Sequence, residues 1–247
     1  MAEIGRFTGT DRFAEKYSFQ TPYAYAANNP IRFIDVNGDS IAINVSEGNV
    51  AFYENGNLYN RDGTQYTGKG VKVKKDGSIK LKGFLKSTVS ALDNIRTGGS
   101  VGNNLVSTLQ SDSDIFVIGK GKNSSVGRTV KFDPSSTQSG LDETGGRNRP
   151  AYIGLAHELA HALDWDDGSI DAGIWLTYSD GSTSRNAEKY ASHVENQIRA
   201  ENKIPLRAYY GIDEGKGIGR LIIPGTRMSS NYFMNVGGIT IPYIYPE

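Results

Sequence analysis

His157-Glu158-Leu159-Ala160-His161 lies within residues 152–163, where Tyr152, Ile153, Leu155, Ala156, Leu159, Ala160, Ala162 and Leu163 leave almost no polar face. Pro150 is a start signal for a helix and Asp164-Trp165-Asp166-Asp167-Gly168 a stop, so the spacing predicts one buried helix between them. Positions four apart on a helix differ by about 40° in azimuth, which sends both imidazoles out of one face, one turn apart. Buried imidazoles and a buried carboxylate need partners or cost several kcal/mol. The chain has three histidines, and two of them fall at this spacing with a glutamate beside the first. An H-E-x-x-H of this kind presents two nitrogens to one Zn²⁺ and a carboxylate to accept a proton from water.

Two histidines do not complete a catalytic zinc site, so a third protein ligand is expected. Glu188 is the first choice, carried on a second predicted helix over residues 185–200 whose apolar face is Ala187, Ala191, Val194 and Ile198. Glu195 shares that border and suits either a ligand or a partner holding a ligating histidine. Asp167 lies ten residues after the first histidine, although Asp164 stands where a sharp turn there would want glycine. His193 ranks last and is expected to be exposed or capping. Arg207 and Tyr210, in an Arg-x-x-Tyr spacing, are candidates for donating to a developing oxyanion. That spacing resembles one in clostridial neurotoxin proteases.

The rest of the chain bounds the answer. Its 247 residues suffice for a full core, and a formal net charge of zero gives no support for binding nucleic acid or an anionic membrane. No cysteine is present, so a metal must use histidine and carboxylate. No apolar run reaches a membrane span and no signal peptide is visible. Residues 49–82 read as a β-meander with turns at Asn55-Gly56, Asp62-Gly63 and Asp76-Gly77, its lysines forming a solvated face. Helices are expected over 84–95 and 103–109, strands over 115–118 and 128–132, a polar loop over 135–148, a hairpin near 174–178 with its turn at Asp180-Gly181, and short strands beyond 211. Strand 128–132 is expected to be the edge on which an extended substrate pairs.

Residues 4–41 have another texture, rich in Tyr, Phe and Asn. Ile4-Gly5-Arg6-Phe7, Pro22-Tyr23-x-Tyr25, Asn28-Asn29-Pro30-Ile31 and Asp35-x-Asn37-Gly38 resemble the C-terminal end of the RHS repeat-associated core, a shell that carries toxin domains. Val36 stands where many such junctions have the proline of a self-cleaving D-P-x-G. Residues 115–210 in turn resemble the zincin peptidases among bacterial effector proteases. The features carrying this are the strand before H-E-L-A-H-A-L, Glu188, and Glu195-Asn196-Gln-Ile-Arg199 followed by Pro205-Leu206-Arg207-Ala-Tyr-Tyr210.

These resemblances imply an α+β, zincin-like fold with an HExxH helix, a small β-sheet and a second ligand-bearing helix. They imply an RHS-core end over 1–41 and a metallopeptidase toxin domain over 42–247. One Zn²⁺ would be held by His157, His161 and Glu188, with Glu158 as base. The partners would be a protein or peptide substrate and a cognate immunity protein, with the chain acting as a monomer, secreted or delivered into a target cell. The competing reading is a metal-stapled structural module closing an RHS shell.

Overall fold

The computed structural model describes residues 41–112 and 114–247. The RHS-like motifs before Ile41, and the junction at Asp35 to Gly38, lie outside the described residues.

Alternation builds the first strands. In β1 (Ile41–Ser46), Ile41 and Ile43 face the main core while Ala42 faces the other side with Phe52. β2 (Asn49–Glu54) and β3 (Asn57–Tyr59) follow by antiparallel pairing. Asn55-Gly56 turns between them, both residues at positive φ, as a tight hairpin requires. β4 (Val71–Val73) and β5 (Ile79–Leu81) pair only with each other, so the expected meander divides into two pieces. Lys72 and Lys80 sit opposite one another on this ribbon and both are exposed, as a solvated lysine face requires.

α1 (Gly83–Thr97) and α2 (Ser100–Gln110) then cover the sheet with Leu85, Leu92, Ile95, Val106 and Leu109. β6 (Phe116–Lys120) pairs parallel with β1 and with β8 (Thr129–Phe132), and β7 (Ser124–Val126) pairs antiparallel with β8. The six-stranded order is β3-β2-β1-β6-β8-β7. The strand expected at the edge, β8, is therefore interior, and the short β7 outside it is the edge.

α3 (Ala151–Asp166) is buried along Ile153, Leu155, Ala156, Leu159, Ala160 and Ala162, as an all-round apolar pattern demands. It runs past Asp164 and stops at Gly168, which takes a positive φ. The hairpin of β9 (Ile174–Thr177) and β10 (Thr183–Arg185) leads to α4 (Ala187–Glu201). Arg185 belongs to β10, paired across from Ile174, so α4 begins later than the sequence pattern places it. α4 packs along α3 with Ala191, Val194 and Ile198. Two ribbons finish the chain, β11 (Tyr209–Asp213) with β12 (Lys216–Arg220) and β13 (Met228–Val236) with β14 (Ile239–Ile244).

The described fold is thus mixed α+β, with four helices, one six-stranded sheet and several two-stranded ribbons.

Candidate metal centre

His157 and His161 leave α3 one turn apart and their rings meet edge to face, centroids 4.9 Å apart. Both Nε2 atoms point at one oxygen, Glu188 Oε2 in the first turn of α4, each at 3.0 Å. These three side chains form a group able to hold a metal ion. In a tetrahedral zinc site with bonds of about 2.0–2.1 Å, ligand atoms lie about 3.3 Å apart, close to the spacing here. The two-nitrogen, one-carboxylate donor set also suits that ion.

Behind this group lies a buried ionic network. His157 Nδ1 contacts Glu195 Oε2 at 3.0 Å, and Glu195 is 1% exposed. The same carboxylate accepts from Arg199 Nε and Arg207 Nη1, each at 2.9 Å. Arg199 also donates to the Pro205 carbonyl at 2.8 Å and to Ser139 Oγ at 3.1 Å. Asn196 clamps the Arg207 backbone in both directions, at 3.0 and 2.7 Å. The Glu195-Asn196 pair therefore ties α4 to the approach of β11. Fixing Nδ1 leaves Nε2 of His157 directed at the site, the usual role of a carboxylate behind a ligating histidine.

The charges follow from this company. Burial disfavours the His157 imidazolium, but hydrogen bonds to Glu188 and Glu195 outweigh it and lift the pKa to about 9. Burial pushes the Glu188 carboxyl up, yet its contacts with both histidines hold it well below the usual range. Glu195 is likewise pushed up by burial and held far lower by Arg207, Arg199 and His157. Glu158 is raised, mainly by burial, against the opposing pull of the two histidines. A carboxyl of raised basicity is suited to taking up a proton.

Glu158, His157, His161, Glu188 and Tyr210 line one open cleft of about 570 Å³. Its far wall is β7 with Asn123 and Gly127, joined by Trp165, Ile170 and Arg185. The Tyr210 ring stacks at 6.5 Å from His157, and its hydroxyl reaches the Glu188 carboxylate. Burial raises the Tyr210 phenol, so it remains a proton donor.

The remaining sequence candidates separate. Arg207 does not face the cleft: its guanidinium is held by Glu195 and by the Tyr210 carbonyl. Arg207 is absent from the cleft lining and contacts Glu195 instead. The same guanidinium lies 4.7 Å from the centre of the Tyr210 ring, so Arg207 backs the tyrosine rather than lining the cleft beside it. Asp167 caps the turn after α3 by accepting from Ser169 and lies outside the ligand group. His193 is neither exposed nor a cap. It stacks on Tyr232 at 4.1 Å and meets the Tyr245 hydroxyl at 2.9 Å. Arg185, Trp165, Ile170 and β7 were not expected at the site. Trp165 sat inside the helix-stop signal, and Ser124-Ser125-Val126 is too short and polar to read as a strand.

Two other features carry less. Asp112, Asp114 and Asp166 also cluster, but Arg128 bridges Asp114 and Asp166 and supplies the cation. A second cavity, near 630 Å³, lies between the C-terminal ribbons and Glu143, whose carboxylate already accepts from Arg227 and the Leu206 amide.

Two imidazoles and a carboxylate converging on one point, with a second carboxylate free in an open cleft, define a candidate metallopeptidase centre. The profile of the effector protein family Peptidase_M91 matches residues 35–210, and the chain belongs to this family. No curated protein and no solved structure matches it. Membership supports a peptidase activity and delivery of the chain into a host or target cell. Among the described residues no helix is long and apolar enough to cross a membrane.

Proposed function

We propose that the chain is a zinc-dependent endopeptidase whose ion is held by His157 Nε2, His161 Nε2 and Glu188. The convergence of both imidazoles on Glu188 Oε2 at 3.0 Å carries this reading. A divalent ion there supplies Lewis acidity to water and to the scissile carbonyl. Glu158 takes a proton from the attacking water on its carboxylate and returns it to the amine nitrogen as the C–N bond breaks. The Tyr210 hydroxyl donates to the carbonyl oxygen as charge develops there. Glu195, Arg199 and Arg207 touch no substrate and keep His157 oriented. An extended substrate strand would pair with the outer edge of β7, unpaired among the described residues, beside Glu158.

Against a purely structural staple stands the size of the ligand group. Among the described residues His157, His161 and Glu188 come together without a fourth member, and Glu195 is committed to His157 Nδ1 and two arginines, so a fourth position would stay open to the cleft. The RHS-like residues 4–41 support a toxin or effector domain, 42–247, carried at the end of an RHS shell and restrained in the producing cell by an immunity protein. We take it to act as a monomer.

Glu158→Gln tests the assignment. Elemental analysis should find zinc retained near one equivalent per chain, while peptide hydrolysis falls by about 10²–10⁴-fold. Full hydrolysis by this variant would remove Glu158 from the mechanism.

A further inference from the structure

Arg185 ends β10 three residues before Glu188, and its exposed side chain lines the same cleft as His157, Glu158 and His161. It is, among the described residues, the only lysine or arginine lining the cleft. Among the described residues no carboxylate lies within ion-pair distance of it, and unlike Arg149, which also lacks one, it is exposed and lines the cleft. Arg149 also acts on Glu158 but lies outside the cleft lining, so Arg185 is the cation that faces a ligand.

Beside the polar Asn123, Ser124 and Ser125, the rim carries an exposed apolar surface. Val126 is 80% exposed, Trp165 43% and Ile170 38%. Trp165 is a fixed platform, since the Arg128 guanidinium lies 5.3 Å from its ring and Gly127 packs against it. Large apolar groups left open beside one unpaired cation are the complement of a peptide that offers both chemistries.

We infer that the cleft selects an extended peptide presenting an acidic side chain to Arg185 and a bulky apolar side chain to Val126, Trp165 and Ile170. This rests on the peptidase reading of the same site and names its substrate class. The carboxylate is that of an internal Asp or Glu rather than a chain end, because the outer edge of β7 can pair with backbone that continues in both directions.

Binding to the zinc-loaded, full-length Glu158→Gln protein tests this without turnover, using fluorescence anisotropy of short labelled peptides with amidated C-termini. Peptides carrying Glu near Leu or Phe should bind about tenfold more tightly than those with Gln in its place. Arg185→Ala should erase that preference, and Arg185→Glu should reverse it in favour of Lys. Replacing Leu or Phe by Ala should weaken binding by about tenfold. Preferences that ignore Arg185, affinity only for peptides with a free C-terminal carboxylate, or no binding at all would overturn the inference. Hydrolysis by the unmodified chain is measured in parallel. A chain that binds acidic peptides through Arg185 and cuts none fails the peptidase reading alone. One that cuts peptides irrespective of Arg185 fails this inference alone.

Discussion

His157 on α3 and His193 on α4 are both withdrawn from water, but into different company. His157 sits between two carboxylates, one of them anchored by two arginines. His193 sits among Tyr232, Tyr243 and Tyr245, with no carboxylate against its ring. Burial drives both toward the neutral form. For His193 nothing opposes it and the pKa falls to about 4, while for His157 the carboxylates prevail and it rises to about 9. Desolvation alone does not make a metal ligand. In His157 one nitrogen is fixed by an acid so that the other is aimed, and among the described residues His193 has no such acid.

The harshest way to break the contrast is to take Glu188 away. Glu188→Ala should release zinc, with affinity falling well beyond the roughly 10–100-fold typical of losing an outer partner, and hydrolysis should drop to background. Zinc retained at normal affinity would assign the third ligand elsewhere. Glu195→Ala acts one step further out. It should lower zinc affinity by about 10–100-fold. It should also cost about 3–5 kcal/mol of stability, because Arg199 and Arg207 would be left buried without their anion. Urea unfolding and metal titration read the two effects separately, and stability unchanged would mean the network is dispensable.

The smallest effect belongs to the tyrosine side. Between pH 6.5 and about 4 the unfolded chain protonates His193 and the folded chain does not. Stability is therefore full above pH 6.5 and falls as the pH drops toward 4. His193→Gln should remove about 2 kcal/mol of the difference in unfolding free energy between pH 7 and pH 5. An acid slope untouched by the substitution would erase the contrast between the two histidines.

How much was legible follows from where each partner lies in the chain. The α3 pattern and its two imidazoles are local, and Glu188 could be ranked first because it opens the next helix. Glu195 was left between ligand and support, and only the packing of α3 on α4 places it behind His157. The Arg-x-x-Tyr spacing paired Arg207 with Tyr210, which do touch, but the hold of Glu195 on that guanidinium comes from how the approach to β11 packs on α4. His193 was misread because its hydrogen-bond partner, Tyr245, lies 52 residues away. No local periodicity encodes such a contact. In the sheet, β1 was passed over because the meander was read only from residue 49, and its place between β2 and β6 depends on long-range parallel pairing.

β1 has one more consequence. It is not a fringe strand: neighbours flank it on both sides, and Ile41 and Ile43 are fully shielded from solvent. A cut within Ile41–Ser46 would take a strand out of the middle of the sheet, so any processing of the chain that leaves this fold standing must fall outside that strand.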